Sequence, residues 1–222
     1  MTIQEAYLAF IDTVNRNATN NNLNVDKARF IISFNETQIR YLEWILNKRN
    51  EDVIRHASPM LVLDQNLIKS SSSDNHDNFD LPKDYFDLSN LTVYASSKKC
   101  KNSKMQSFEV KGENIDELLS DEFNKPSFYY RETFYITNSN DVSIYKDNFS
   151  IDKVKLSYYR YPNKADIEGY EKIDGSNSSD INPEWDDKSA NRIIIAMAKD
   201  FFAANGESNK YTIEKDRLFS DI

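Results

Sequence analysis

The reading of the fold turns on KVKLSYYRYP at 153–162, DIEGYEKIDG at 166–175 and INPEWDDKSANRIIIAMAKDFFAAN at 181–205. Val154, Leu156 and Tyr158 alternate with polar residues, which is the period-two pattern of a half-buried strand. That strand runs into an aromatic corner, Tyr158-Tyr159-Arg160-Tyr161-Pro162. Gly169 and Gly175 punctuate the second segment. The third predicts a helix from about Asp187 to Asn205, with Asp186 and Asp187 favouring its N-terminus through the helix dipole. Asn205-Gly206 forms its stop. Its centre, Ile193 to Ala198, is an unbroken apolar run. A surface helix carries one apolar stripe, so this helix needs cover on nearly all sides. The cover is either the core of the chain itself or a neighbouring subunit. In the second case Ile193, Met197 and Phe201 are interface positions.

Outward from this stretch, the N-terminal third is helical. Thr2 and Glu5 have the spacing of a capping box. Behind them Ile3, Tyr7, Phe10, Ile11 and Val14 share one stripe, predicting a helix from Thr2 to Asn17. An Asn-rich loop reaches Asn22. From Asp26 to Ala57 the pattern predicts two or three consecutive helices, with Asn35 and Asn50 as caps and Pro59 as the end. Residues 70–78, rich in Ser and Asp, read as a linker. From Phe79 the period becomes two: Leu91, Val93 and Ala95 alternate, then Phe108 and Val110. Asn114 is placed to cap a short helix at Ile115–Leu119. Phe128, Tyr130, Phe134 and Ile136 share a face. Asn138 to Asp141 form a hairpin turn, and Val142, Ile144, Val154, Leu156 and Tyr158 complete a meander of about four to six strands. The expected class is α+β: a helical bundle made by N- and C-terminal segments, with an inserted antiparallel β-domain. The expected divisions are 1–69 helical, 70–78 linker, 79–175 β-domain, and 176–222 closing helix plus tail.

Composition narrows the function. The chain has 222 residues, a net charge of −8, 29% charged residues and 13% aromatics. Binding a phosphate backbone needs clustered Lys and Arg. The one cluster, Lys98, Lys99, Lys101 and Lys104, reads as a solvated hairpin tip. A sequence-reading nucleic-acid binder is not expected, whereas an acidic wall past which DNA slides fits this charge. A single cysteine, Cys100, excludes an internal disulfide and fits a reducing compartment. MTIQEAYLAFIDTV lacks the basic start of a signal peptide, and no apolar run is long enough to span a bilayer. A soluble chain outside the classical export route is expected, with no membrane contact.

No site motif emerges. The two histidines, His56 and His76, and the lone cysteine do not group as zinc ligands do. The acidic pairs Asp186-Asp187, Glu51-Asp52 and Asp121-Glu122 fall at predicted helix ends and turns, where capping and solvation account for them. With four glycines in the chain, a phosphate-cradling loop has little to be built from. No catalytic residue, cofactor or metal is expected. Tyr129, Tyr130 and Tyr158 to Tyr161 suit sheet packing and a subunit interface, or a stacking platform.

Several stretches in this order carry a family resemblance: LPKDYFDLSNLTVYASS at 81–97, NKPSFYYRETFYI at 124–136, VSIYKDNFSIDKVKLSYYRYP at 142–162, DIEGYEKIDG at 166–175 and INPEWDDKSANRIIIAMAKDFF at 181–202. The chain resembles the head–tail adaptor, or ring, proteins of short-tailed bacteriophages, most closely those of crAss-like phages. The resemblance implies a structural virion protein at the head–tail junction, assembled in the host cytoplasm. It implies a ring of about twelve copies under the portal, closed by heterologous contacts. Such a ring extends the channel for DNA, which passes as non-specific cargo, and it contacts the portal and adjacent tail or ring proteins. By the same resemblance Tyr211, Ile213, Leu218 and Phe219 dock on the portal or a next ring. Two other readings stand beside it: a tail-associated hydrolase of cell-wall glycan, and a carbohydrate- or protein-binding module.

Overall fold

A computed structural model describes residues 1–16, 25–48 and 50–205. The class is α+β, with helices from the N- and C-terminal segments flanking an inserted, mostly antiparallel sheet. The chain divides into two compact units: a helical unit of residues 1–60 with the segment from Pro162 onward, and a sheet unit, Leu61–Tyr161.

In the helical unit, α1 (Ile3–Arg16), α2 (Lys27–Lys48) and α5 (Asp187–Ala204) form the body, and α3 (Glu51–Ile54) runs into a 3-10 turn, Arg55–Met60. The capping box closes reciprocally: Thr2 N–H donates to Glu5 Oε2 (2.8 Å) and Glu5 N–H to Thr2 Oγ1 (3.2 Å). Phe10 of α1 meets Phe30 of α2 and Phe201 of α5, with ring centroids 5.6 and 6.2 Å apart. Around these rings Ile3, Val14, Phe34, Leu42, Ile45, Ile194 and Phe202 are buried. Each such side chain contributes about 1.5–3 kcal/mol by leaving water.

The consecutive helices expected from Asp26 to Ala57 are α2 and α3 with the 3-10 turn, broken at Asn50; the further break expected at Asn35 is absent from α2. Asn35 lies in its middle, and its side chain is used elsewhere. Its Nδ2 donates to Ala165 O (3.0 Å) and its Oδ1 accepts from Ala165 N–H (2.9 Å). One turn on, the buried Gln38 donates to Asn163 O (3.1 Å) and to Asn35 Oδ1 (2.9 Å), and accepts from Trp185 Nε1 (3.2 Å). These bonds fasten the irregular segment 163–185 to α2 without any regular secondary structure in it. Asn50 does cap, accepting from Asp52 N–H (3.0 Å) at the start of α3.

The sheet unit holds β1 (Leu61–Asn66), β2 (Ile68–Ser72), β3 (His76–Asp80), β4 (Tyr85–Ser96), β5 (Ser103–Glu109), β6 (Glu132–Thr137), β7 (Asp141–Tyr145) and β8 (Ser150–Arg160). Their order is β1-β8-β4-β5-β6-β7-β3-β2. The two end strands, β1 and β2, are separated in sequence only by Leu67, whose N–H bonds Val154 O at 3.0 Å. One extended stretch thus pairs with β8 along its first half and with β3 along its second, and the sheet closes on itself. β5 divides in the same way, with 103–105 against β4 and 106–109 against β6. Closure removes the long free edges on which strands aggregate. The interior holds Phe79, Val93, Met105, Ile144, Val154, Leu156 and Tyr158.

Three expectations need correction. The linker at 70–78 is part of a hairpin, with Ser71 and Ser72 of β2 paired to Asn78 and Asp77 of β3. All of β2 is exposed, so backbone pairing defines that strand with no apolar pattern to show it. The sheet unit accordingly begins at Leu61 and ends at Tyr161, not at 79 and 175. The strands do not form a meander: β7 pairs with β6 and β3, and β8 crosses to lie between β1 and β4. β5 and β6 are parallel. A parallel pair needs a long return connection, which here contains α4 (Ile115–Ser120).

Candidate interaction surfaces

The residues expected at an interface divide by location. Ile193 is fully buried and Met197 nearly so, within the helical unit itself. The chain supplies the cover that the apolar helix demands, and these two side chains leave no surface for a neighbour. Phe201 is half-buried, edge-on to Phe10. Tyr211, Ile213, Leu218 and Phe219 lie outside the described residues.

The acidic pairs go to caps and turns. Asp186 is the N-cap of α5, accepting from Ser189 N–H (2.8 Å), and it meets His56 Nδ1 at 3.1 Å. Burial pulls the Asp186 carboxyl upward, but the hydrogen bonds from Ser189 and His56 outweigh it and hold the group below the ordinary carboxylate range. Asp121 accepts from Phe123 N–H (2.9 Å) and Asn124 Nδ2 (2.6 Å) in a local turn. Glu51 and Asp52 occupy the first turn of α3. Lys98, Lys99 and Lys101 form the exposed tip of the β4–β5 hairpin. Among the described residues no group of His, Cys, Asp and Glu side chains is placed to hold a metal ion, and no helix is long and apolar enough to cross a membrane.

Two surfaces stand out, one on each unit. On the sheet unit, the return connection between β5 and β6 presents Phe123 at 92%, Tyr129 at 86% and Tyr130 at 67% exposure. Asp121 fixes the turn that lifts Phe123. Arg131 follows Tyr130 with a left-handed φ of 59°, a backbone state uncommon outside glycine. The Tyr129 and Tyr130 rings meet edge to face at 5.1 Å. Beside them Asp147 and Asn148 line a cavity of about 240 Å³. Tyr158 plays no part: its buried hydroxyl is shared between Asp84 (3.0 Å) and Gln65 (3.2 Å). Burial, with Asp84 adding, pushes that phenol up to about 12.

On the helical unit, α2 and α5 leave a groove between them. Arg40, Tyr41 and Trp44 face it from α2, and Arg192, Lys199 and Asp200 from α5. The i, i+4 and i, i+7 spacings bring each set onto one helix face. Tyr41 stacks on Trp44 (5.8 Å, 17° between planes) and meets Trp185 edge-on at 5.3 Å. Lys48 Nζ lies 5.4 Å from the Trp44 ring centroid. Arg40 bridges the groove to Asp200 at 2.8 Å. The sequence reading missed the groove. Its one signal is Arg192, a buried cation directly before the apolar run Ile193 to Ala198.

Comparison of the chain with protein-family models finds no matching family, and comparison with curated proteins finds no match.

Proposed function

We propose that the chain is a structural subunit of a phage head–tail connector, forming an oligomeric ring between portal and tail that extends the DNA channel. The observation that carries the reading is the insertion itself. A closed sheet interrupts a helical unit between Met60 and Pro162, and the chain then returns to complete that unit with α5. The order matches what the sequence resemblance implies. The exposed aromatics Phe123, Tyr129 and Tyr130 support an assembling subunit, because aromatic side chains are enriched where proteins meet. The acidic balance of the chain supports a wall that DNA passes without sticking.

On this reading the chain does no covalent chemistry. Each copy presents one surface to the next, and heterologous contacts close when the rotation between copies divides the circle. Native mass spectrometry of the chain with the portal protein from the same genome tests this. A discrete complex carrying many copies of the chain per portal ring is expected. Failure of the two to associate refutes the proposal.

A further inference from the structure

The β4–β5 hairpin tip is strongly cationic in a chain whose net charge is −8. No acid falls between Asp87 and Glu109, and the stretch holds Lys98, Lys99, Lys101 and Lys104. All four lysines are exposed, and none makes an ion pair among the described residues. The tip is held in shape. Ser97 N–H donates to Cys100 O (2.8 Å) and Asn102 N–H to Ser96 Oγ (2.9 Å), with Asn102 at a left-handed φ of 54°. Beside it Lys98 and Lys101 border an open hollow of about 560 Å³, together with Asn148 and Phe149. The carboxylate in this lining, Asp152, accepts from Ser96 Oγ. The hollow shares Asn148 and Phe149 with the cavity beside Tyr129 and Tyr130, so it continues the exposed aromatic surface.

The helical unit carries a complement. From Asp166 to Asp187 eight acids stand against one cation, Lys172. A tight hairpin rises within this stretch: Lys172 N–H donates to Ser176 O and Gly175 N–H to Lys172 O, each at 2.9 Å. Gly175, at a φ of 79°, makes the turn. The base is fixed by Ser178 Oγ, which accepts from the N–H groups of Gly169 and Tyr170 at 3.0 Å. Lys172 is taken by the buried Asp166 at 2.7 Å. The tip therefore presents Ile173, fully exposed, between the exposed Glu171 and Asp174. Asp174 accepts from Ser176 N–H (3.0 Å) and Ser176 Oγ (2.6 Å), which are neutral donors. Neither carboxylate makes an ion pair among the described residues. A single exposed isoleucine is ordinary. One held on a rigid tip between two such carboxylates matches a cationic hollow in both shape and charge.

We propose that this hairpin of one copy docks beside the β4–β5 tip of the next, seating Ile173 in the hollow while Glu171 and Asp174 meet Lys98 and Lys101. The contact rests on the ring reading above and supplies its joint between copies. A heterologous contact joins two unlike patches that every copy carries, and these two are opposite in charge and shape. Opposite charges steer the encounter and fix its register. Both loops are ordered beforehand, so docking costs them little conformational freedom.

The test mixes the full chain with the portal protein from the same genome and counts copies per portal ring by native mass spectrometry. One variant reverses the tip, Lys98→Glu with Lys101→Glu; the other reverses the hairpin, Glu171→Lys with Asp174→Lys. Each alone is expected to lose assembly, with apparent affinity down about tenfold or more. Ile173→Ser should weaken assembly as well, and added salt should weaken it further. An equal mixture of the two reversed variants should recover assembly, because every tip then finds a hairpin of opposite charge on its neighbour. Circular dichroism checks that each variant is folded. If the parent loads many copies and both variants load as many, the contact is overturned and the ring reading stands. Folded variants that lose assembly but do not recover it when mixed overturn the contact too. If the parent never joins the portal, both readings fall. Loss by the tip variant alone, with binding of labelled duplex DNA that the same variant abolishes, also overturns the contact, because the tip then holds a phosphate backbone.

Discussion

Asp77 makes the sharpest test of how the sheet closes. It lies in β3 with its side chain 1% exposed, and it takes Lys69 Nζ of β2 at 2.7 Å and Lys146 Nζ, just past β7, at 2.5 Å. Ser72 Oγ donates to it at 2.6 Å. The carboxylate therefore ties both neighbours of β3 to it at the place where β2 completes the closure. Removing one member of a buried ion pair costs about 3–5 kcal/mol, because the charge left behind has no partner. Lys69 is 39% exposed and can turn to water, while Lys146, at 13%, cannot do so as freely. Asp77→Asn is accordingly expected near the lower end, at about 3 kcal/mol. At about 4–8 °C per kcal/mol for a unit of roughly a hundred residues, the melting point of the sheet unit should fall by about 12–24 °C. Lys146→Met should cost less, and Lys69→Met least. Both tryptophans, Trp44 and Trp185, lie in the helical unit, so unfolding of the sheet is followed by its near-ultraviolet tyrosine signal. Burial raises the Asp77 pKa, but the bonds from Lys146, Lys69 and Ser72 outweigh it and the carboxyl sits below its ordinary value. A lowered pKa gives stability that is complete above the unfolded value, about 3.9, and is lost as pH falls through the native one. The difference between parent and Asp77→Asn should thus be full at neutral pH and shrink below about pH 4. A loss within about 0.5 kcal/mol, the range of ordinary surface substitutions, would refute the argument.

Three further outcomes follow from the same packing. Ile193→Ala should destabilise the isolated chain by about 2–5 kcal/mol in urea titration, because that side chain fills the core of the helical unit; a variant stable alone but defective in assembly would put Ile193 at an interface instead. Gln38→Leu strands Trp185 Nε1 and Asn163 O, and should cost about 1–3 kcal/mol with a red-shifted tryptophan emission. Replacing Phe123, Tyr129 and Tyr130 together by Ser should leave the melting point within about 2 °C, as exposed positions do, and abolish association with partner proteins in sedimentation.

The sequence and the fold agree most closely where local chemistry decides structure. The Thr2–Glu5 box, the Asn50 and Asp186 caps, the Asn138–Asp141 turn and the Lys98–Lys101 hairpin tip each rest on bonds within a few residues. The alternation at Leu91–Ala95 and Val154–Tyr158 also carried through, because each strand has one face buried in the sheet interior. What was hidden is long-range. β2 is exposed along its whole length and exists through its ladder with β3, so its serines read as a linker. Asn35 and Gln38 look like a cap and a surface residue, but their partners at 163–185 are more than a hundred positions away. Ile193 and Met197 are apolar in either reading, and periodicity does not say whose surface covers them. The α2–α5 groove was illegible for the same reason, since its two walls are far apart in sequence.

Cryo-electron microscopy of the chain mixed with the portal protein from the same genome tests the connector reading most directly. The account predicts a closed ring of many copies seated coaxially on the portal, with a channel wide enough for duplex DNA along its axis. Particles showing the portal alone, beside monomeric chain that never joins it, would contradict the account.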